Sequence, residues 1–207
     1  MRINLQTKFF FVFAMLTIIS LGNFGFLWFA EKKSAEQQVL VTHTYKVLAQ
    51  SEVFLGHLKD TETGQRGFLL TGQAKYLEPY LAGIESAQAD FIILVNLTRD
   101  NAIQQSRLVS IRRKMAEKFS ELNKTIELVQ KGTPAEALNI VNSGVGKQIM
   151  DSIRLHLRQF KAEEEHLLEI RENSFRAEQV KMRIIFVGEA LLLVFLKALT
   201  PGFSVVT

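Results

Sequence analysis

The chain of 207 residues carries 25 lysine and arginine residues against 21 aspartate and glutamate residues, which gives a formal net charge of +4, and it contains no cysteine. The lack of cysteine excludes a disulfide framework, thiolate catalysis and a cysteine-based zinc site. The mild charge is spread over many helical turns, without a basic stripe and interleaved aromatic residues, so we expect no nucleic acid partner.

An uncharged apolar segment occupies residues 9–30. At about 20 residues, such a segment is long enough to cross the roughly 30 Å hydrocarbon core of a bilayer as a helix. It is longer than the roughly 7–15 apolar residues of a signal peptide, and Trp28-Phe29-Ala30 is a poor cleavage site. We therefore predict an uncleaved transmembrane helix, preceded by a short terminus at residues 1–8.

A second apolar segment, residues 184–196, is shorter. Its length corresponds to roughly 20 Å of helix, and Glu189 within it costs about 2.5–3.5 kcal/mol on membrane-insertion scales. We predict a short second transmembrane helix at this segment, followed by a tail at residues 197–207.

Residues 31–183 show helical periodicity almost throughout, and only three prolines occur in the whole chain. In the first long helix, residues recur at seven-residue intervals, as in the seam of a helical bundle: Val41, Leu48, Leu55, Glu62 and Leu69. A later helix shows the apolar series Leu108, Ile111, Met115, Phe119, Leu122, Ile126 and Val129. The predicted fold is all-α: a membrane-anchored antiparallel four-helix bundle whose long first and last helices are continuous with the membrane spans.

Turn signals separate the later helices. Gly132 marks the end of one helix, and the four residues after it predict the start of a short one. There Thr133 is expected to cap the helix, Pro134 to occupy its first turn, and Glu136 to complete a capping box. The last helix is expected to start near Gly146 and to continue without a break signal into the second apolar segment.

The most unusual segment lies at the end of the first long helix. Glu62 and Arg66 stand four residues apart, on or beside the apolar seam, where ionisable groups are costly unless they are paired. Gly64, Gly67 and Gly72 are expected to break the helix. Two interpretations remain open. One is a ligand-binding or switching site; the other is an i,i+4 ion pair, worth about 0.2–0.5 kcal/mol if exposed, with glycines that end the helix and permit close packing.

Other candidate chemistry is weak. The sequence Gly-Val-Gly-Lys at residues 144–147 is similar to the end of a phosphate-binding loop. It lacks that motif's first glycine, its final Ser or Thr and the strand that precedes it. Residues 163–165 are interpreted as a solvated charge run; the alternative is that Glu164, four residues after Phe160, faces Arg66 or Arg154 across the bundle. Four histidines lack the spacing and adjacent carboxylates of a metal set: His43, His57, His156 and His166. We expect no enzymatic activity, no cofactor and no metal.

Several blocks of the chain resemble a CHASE domain of the third type. Its start is similar to His43–Leu48, Thr61–Gly72 and Tyr76–Tyr80. Its later blocks are similar to Leu97–Asn101, to Ser143–Lys147 with Met150, Asp151 and Arg154, and to Glu165–Arg171. The resemblance covers about residues 39–176, and its most specific part is the glycine-arginine block. Arg154 and Glu165 lie in the later blocks, and we include them with Glu62 and Arg66 among the candidate ligand or switch residues.

The resemblance implies an extracytoplasmic sensory bundle flanked by membrane helices. Members of this family stand at the N-terminus of bacterial histidine kinases, diguanylate or adenylate cyclases and chemotaxis receptors, and their ligands are mostly undefined. By this resemblance residues 1–8 are cytoplasmic and residues 31–183 lie in the periplasm or outside the cell. The protein is then expected in the bacterial inner membrane, as a homodimer that responds to an unidentified small molecule or envelope cue.

The chain departs from the family pattern at its C-terminus. A typical member continues past its second span into a HAMP, PAS, kinase or cyclase module, whereas residues 197–207 resemble none of these. We expect the signal-input domain of a receptor that is truncated before its kinase or cyclase module. The alternative is a stand-alone membrane-anchored helical protein that binds another membrane protein without sensing a ligand.

Overall fold

Residues 5–198 are described by a computed structural model in which every regular element is helical. Five α-helices follow one another: α1 (Leu5–Thr71), α2 (Leu77–Leu97), α3 (Ala102–Gln130), α4 (Pro134–Asn142) and α5 (Val145–Ala198). A 3-10 turn at Ala74–Tyr76 leads into α2. The prediction of an all-α fold is confirmed, since no strand occurs between residues 5 and 198.

The chain divides into two compact units. One unit consists of residues 42–168 and holds the helical bundle, which is formed by α2, α3, α4 and the adjoining parts of α1 and α5. The other unit consists of the residues up to 41 together with those from 169 onward, of which 5–41 and 169–198 are described.

In the bundle, the buried side of α1 repeats every seven residues, as predicted, but it uses other positions than those predicted. Two rows are buried: Thr44, Ser51, Leu58 and Gln65 in one, and Val47, Phe54, Thr61 and Phe68 in the other. The predicted seam residues Leu48, Leu55 and Leu69 are only half-buried beside these rows. Half of the buried positions are polar, which is why the apolar residues alone indicate the neighbouring stripe.

Two apolar clusters fill the bundle. The larger contains Val47, Phe54, Leu58, Ala87, Phe91, Leu94, Leu108, Ile111, Met115, Met150, Ile153, Leu157 and Phe160. The smaller contains Phe68, Tyr80, Leu122 and Ile126. The larger cluster draws on all four long helices, so burial of apolar surface, at about 25 cal/mol per Å², holds them together.

Glycines with positive φ stand at three helix boundaries: Gly72 (66°) after α1, Gly132 (82°) after α3 and Gly144 (74°) before α5. Side chains with a Cβ are strained at such angles. Pro134 occupies the first turn of α4, as predicted, but the predicted capping box is wrong. The hydroxyl of Thr133 donates to the carbonyl oxygen of Leu128 at 3.1 Å and therefore does not cap α4.

In the other unit, polar contacts join α1 and α5. Nζ of Lys33 lies 2.8 Å from Oε1 of Glu178, and Nε2 of Gln179 donates to Oγ of Ser34 at 3.1 Å. The hydrogen bond from Lys33, and a second one from Lys181, hold the pKa of Glu178 below its usual value. These contacts hold the two helices side by side within this unit.

Near its N-terminal end, α1 exposes many large apolar side chains, among them Phe10, Phe11, Phe13, Trp28 and Phe29. Of the helices within residues 5–198, α1 is the one that is long and apolar enough to cross a membrane, judged by length and composition. The predicted second crossing at residues 184–196 stays a prediction. Residues 1–4 and 199–207, which belong to the predicted cytoplasmic terminus and tail, lie outside the described residues.

Candidate functional site: a buried charge cluster

A lysine, Lys118, lies inside the bundle. Lys118 on α3 faces the core, and its side chain is only 2% exposed. Its Nζ atom donates to Oε2 of Glu121 at 2.9 Å, to Oε1 of Glu62 at 3.3 Å and to the carbonyl oxygen of Gly146 at 3.3 Å. An ammonium group buried to this extent is tolerated because it is both paired and hydrogen-bonded.

Glu62, Lys118 and Glu121 together form a buried charge cluster. The side chains of Glu62 and Glu121 are 14% and 9% exposed. Arg66, which is 62% exposed, lies at the rim, and its Nη2 donates to Oε1 of Glu62 at 3.0 Å. One oxygen of Glu62 therefore accepts from a buried cation and from an exposed one. The cluster ties α1 to α3 and, through the carbonyl group of Gly146, ties both to the first turn of α5.

Gly146 allows Glu121 to reach the start of α5. A Cβ at Gly146 would lie 2.8 Å from the carboxylate atoms of Glu121, closer than real Cβ contacts. The carboxylate thus lies against the first turn of α5, where unpaired N–H groups and the helix dipole favour a negative charge. The two glycines of this segment therefore have structural roles: Gly144 turns the chain, and Gly146 admits the carboxylate.

The structure brings together two of the four predicted ligand or switch residues. Glu62 and Arg66 form an i,i+4 ion pair. Arg154 pairs along its own helix instead, with Nη1 3.0 Å from Oδ1 of Asp151, and Glu165 is exposed. Neither Arg154 nor Glu165 contacts the charge cluster, so a part for them in binding or switching stays a prediction.

The buried carboxylate in the middle of α5 is that of Glu164. Nε2 of Gln104 donates to Oε1 of Glu164 at 2.8 Å and to the carbonyl oxygen of Phe160 at 2.9 Å. The interpretation of Glu164 as part of a solvated charge run is therefore wrong, since the residue is buried. The alternative that it faces Arg66 or Arg154 is wrong as well, because an uncharged amide from α3 satisfies this carboxylate. The hydrogen bond from Gln104 to Glu164 is a second polar link between α3 and α5, besides the one from Lys118 to Gly146.

The prediction that Gly64 and Gly67 break the first helix is wrong. α1 continues through both positions and ends just before Gly72. A Cβ at Gly64 would lie 2.7 Å from the backbone nitrogen of Tyr80, and one at Gly67 would lie 2.6 Å from Cδ1 of Tyr76. Both glycines thus permit α1 and the segment that begins α2 to pack at a distance that a side chain would prevent.

Two polar contacts join α1 to α2. Oδ2 of Asp90, a buried residue of α2, lies 2.6 Å from Nδ1 of His57, and its Oδ1 accepts a hydrogen bond from Nε2 of Gln50 at 2.7 Å. An open groove of about 730 Å³ runs between the two helices beside His57. Nowhere in the described part of the chain do three or more His, Asp or Glu residues stand where they could hold a metal ion.

Tyr80 gives the bundle a testable dependence on alkaline pH. Burial of its phenol, reinforced by the negative charge of Glu127, raises the pKa of Tyr80 above its usual value of 10.0. Folding thus favours the neutral phenol, so this stabilisation is complete below about pH 10 and is lost as the pH rises through the folded-state pKa. Between about pH 9 and pH 11, the free energy of unfolding measured in urea should fall less for the Tyr80→Phe variant than for the parent.

The control for this prediction is the same pair of proteins between about pH 6 and pH 8, where the phenol is neutral in both the folded and the unfolded state. There the difference in stability between Tyr80→Phe and the parent should stay constant. An equal alkaline loss in Tyr80→Phe and the parent would show that burial of the phenol has no such effect.

The bundle is similar to a sensor domain of known structure. The sensor domain of the histidine kinase HK9 from Rhodopseudomonas palustris is 25% identical in sequence, with a TM-score of 0.57, over 60% of this chain and 97% of that one. The CHASE3 domain matches residues 37–174, well over half of the chain, and the chain therefore belongs to the CHASE3 family. No curated protein shows significant similarity to it. The resemblance seen in the sequence is confirmed.

Proposed function

We propose that the chain is the extracytoplasmic signal-input domain of a bacterial membrane receptor, with an unidentified small molecule or envelope cue as its input. Its membership of the CHASE3 family and its similarity to the sensor domain of a histidine kinase support this function. By the same resemblance the bundle belongs in the periplasm and the protein in the inner membrane.

Anchoring in the membrane is part of this proposal. The apolar N-terminal part of α1 is long enough to cross a bilayer, and it exposes aromatic rings such as those of Phe13 and Trp28. The amphipathic ring of Trp28, near one end of this segment, is of the kind favoured at the membrane–water interface. We assign the first anchor to residues 9–30 and a shorter second one to residues 184–196.

The observation that carries the proposal is that Lys118 contacts both α1 and α5. Its Nζ atom contacts Glu62 on α1 and Gly146 on α5, and these two helices are the ones that continue along the chain beyond the bundle. Packed helices slide by about 1–2 Å in known switches, because packed interfaces have discrete alternatives. A shift of that size would lengthen the 3.3 Å contact between Lys118 and Glu62 beyond hydrogen-bonding distance.

Two arrangements of the cluster follow from this geometry. In one, Glu62 accepts from both Lys118 and Arg66, as in the structure. In the other, Glu62 keeps only Arg66, while Lys118 keeps Glu121 and the carbonyl group of Gly146. A cue that binds one arrangement better than the other shifts the population towards it.

A groove beside the cluster offers a place for such a cue. It lies between α3, α4 and α5, encloses about 680 Å³, and is lined by Glu121 together with Lys124, Ile140 and Val145. A small molecule in this groove would contact the same carboxylate that holds Lys118. The proposed coupling therefore runs from the groove through Glu121 to Lys118 and Glu62.

Output from a receptor fusion tests this function. The full chain would be joined in frame to a kinase module with a transcriptional reporter, and the cluster neutralised in the triple variant Glu62→Gln, Lys118→Met, Glu121→Gln. We expect basal output to change by about fivefold or more, the lower end of typical coupling between sites. The control variant, Glu52→Gln with Lys161→Met, removes an exposed ion pair between α1 and α5. It should leave output unchanged.

Thermal unfolding of both fusions would establish that they are folded before output is compared. If the folded cluster variant and the control give the same output as the parent, the cluster does not carry a signal. That result would favour the stand-alone protein that binds another membrane protein without sensing.

A further inference from the structure

Glu189, the charged residue of the second apolar segment, lies on the face of α5 that is turned towards α1. Glu178 of α5 and Ser34 of α1 each take part in a contact that joins these two helices. Glu189 follows Glu178 by eleven residues, and Asn23 precedes Ser34 by eleven residues. Eleven residues make about three full turns of an α-helix, so each residue lies on the same face as its reference. Asn23 and Glu189 therefore lie opposite each other, within the two apolar segments.

A small pocket between the two helices is lined by both side chains. It encloses about 220 Å³, and its polar lining residues are Glu189 from α5 and Asn23 and Ser20 from α1. Its other walls are apolar and include Leu27 and Leu192. Three polar side chains thus meet inside segments that are otherwise apolar.

The surroundings of Glu189 supply no positive charge to its carboxyl group. Among the residues that the structure describes, none of those that line the pocket is basic. Residues 9–30 of α1 carry no charge, and the nearest charged residues along α5 are Arg183 and Lys197. These lie about 9 Å before and about 12 Å after Glu189 along the helix axis. An ionised carboxylate in hydrocarbon is costly unless a positive charge neutralises it, so this charge has to come from outside the pocket.

We propose that Glu189 binds a proton inside the membrane and that its neutral carboxyl group is hydrogen-bonded to Asn23. A carboxylic acid and a carboxamide each offer a donor and an acceptor, so two hydrogen bonds can join them. An ionised carboxylate offers acceptors alone and would leave the amide oxygen of Asn23 without a donor. Polar pairs of this kind join helices within membranes. This inference rests on the proposed function, which assigns both apolar segments to the membrane.

Labelling with an apolar carbodiimide tests the protonation of Glu189. Dicyclohexylcarbodiimide enters the bilayer and reacts with a protonated carboxyl group. The proton passes to one nitrogen of the reagent, the carboxyl oxygen adds to its central carbon, and an acyl shift to nitrogen gives a stable N-acylurea. In native membranes near neutral pH, the peptide of the full chain that contains Glu189 should gain the mass of one reagent molecule. Glu189→Gln should lose this labelling.

Glu178 is the matched control, because it lies eleven residues earlier on the same face of the same helix. The hydrogen bond from Lys33 holds the pKa of Glu178 below its usual value, so this carboxylate is ionised and should stay unlabelled. Labelling of both residues, or of neither, would overturn the proposal. Protection of Glu189 by sodium chloride, but not by choline chloride, would also overturn it, because a sodium ion would then neutralise the carboxylate.

Disulfide formation tests whether the two segments lie together as the pocket requires. The chain contains no cysteine, so an introduced pair is the only pair that can form. Ile19→Cys with Leu192→Cys places both thiols in the lining of the pocket, and oxidation in native membranes should join them within one chain. Ile18→Cys with Leu191→Cys, at two exposed positions next to these, is the control pair and should not be joined. Equal yields of disulfide from the two pairs would contradict the arrangement.

Substitutions in the background of the first cysteine pair test the hydrogen bonds between Glu189 and Asn23. Glu189→Leu and Asn23→Leu should each lower the disulfide yield by about threefold, the average scale of a polar contact between membrane helices. Glu189→Gln should leave the yield unchanged, because its amide is uncharged and still offers a donor and an acceptor to Asn23. A loss in Glu189→Gln as large as that in Glu189→Leu would contradict the proposal.

The labelling experiment and the receptor fusion separate this inference from the proposed function. Labelling reports the proton on Glu189, whereas output from the fusion reports sensing. A labelled Glu189 together with unchanged output in the cluster variant would support the proton site and contradict sensing. An unlabelled Glu189 together with changed output would contradict the proton site and support sensing.

Discussion

Replacing Lys118 with methionine is expected to destabilise the bundle by about 3–5 kcal/mol, the usual cost of removing one partner from a buried ion pair. The methionine side chain fills a similar volume, so the loss is mainly electrostatic. Glu62 and Glu121 would be left as two carboxylates in a buried site without the ammonium group that now lies between them. For a chain of this size the expected fall in Tm is roughly 6–20 °C.

Two further variants separate the electrostatic cost of Lys118→Met from a packing defect. Arg66→Ala removes the exposed partner of the same Glu62, and it should cost no more than about 0.5 kcal/mol. Adding Glu62→Gln and Glu121→Gln to Lys118→Met removes the stranded charges and should recover most of the lost stability. All four proteins would be compared by thermal unfolding. A Tm for Lys118→Met equal to that of Arg66→Ala would contradict the burial of the lysine.

The helices and turns were predictable from the sequence because their signals are local. Gly72, Gly132 and Gly144 each stand where a helix ends or begins, and at each of them the backbone has positive φ. The seven-residue period of α1 was also visible. Which side of α1 is buried was not predictable, because half of the positions in its two buried rows are polar: Thr44, Ser51, Thr61 and Gln65. The side chain that makes Gln65 acceptable there is that of Thr125, sixty residues away.

Lys118 illustrates the same limit at the candidate site. It lies seven residues from Ile111 and from Thr125, both of which are buried, so the heptad pattern could have placed it in the core. A lysine is normally read as exposed, since burying its charge is costly. Three partners together override that expectation: Glu121 lies on α3 itself, whereas Glu62 and the carbonyl group of Gly146 lie on other helices and have no signal within the α3 sequence.

Gly64 and Gly67 were predicted as helix breakers because glycine costs about 1 kcal/mol relative to alanine inside a helix. The structure shows that the cost is offset by packing, since α1 continues through Gly64 and Gly67 against Tyr80 and Tyr76. Sequence alone could not separate a glycine that ends a helix from one that admits a neighbour, because the neighbour belongs to the next element of the chain.

Because the glycines of α1 differ in what surrounds them, alanine substitutions at Gly56, Gly64 and Gly67 are expected to change stability by different amounts. Gly64→Ala is expected to destabilise the bundle by about 1–3 kcal/mol, because the new Cβ would lie 2.7 Å from the backbone nitrogen of Tyr80, which cannot move unless α1 and α2 separate. Gly67→Ala meets the ring of Tyr76, a side chain that can rotate, and should cost less. Gly56→Ala meets nothing within 4 Å and should stabilise by up to about 1 kcal/mol through its better helix propensity.

The sign change between Gly56→Ala and Gly64→Ala makes this series decisive, because both variants add the same methyl group to the same helix. Intrinsic propensity alone would stabilise both, so a loss at Gly64 measures the contact between α1 and α2. Thermal unfolding of the full chain in detergent, with Gly67→Ala between the two extremes, would establish the order. If Gly64→Ala were as stable as Gly56→Ala, the spacing of α1 and α2 would not depend on the missing side chain. The glycine-arginine block would then need another explanation.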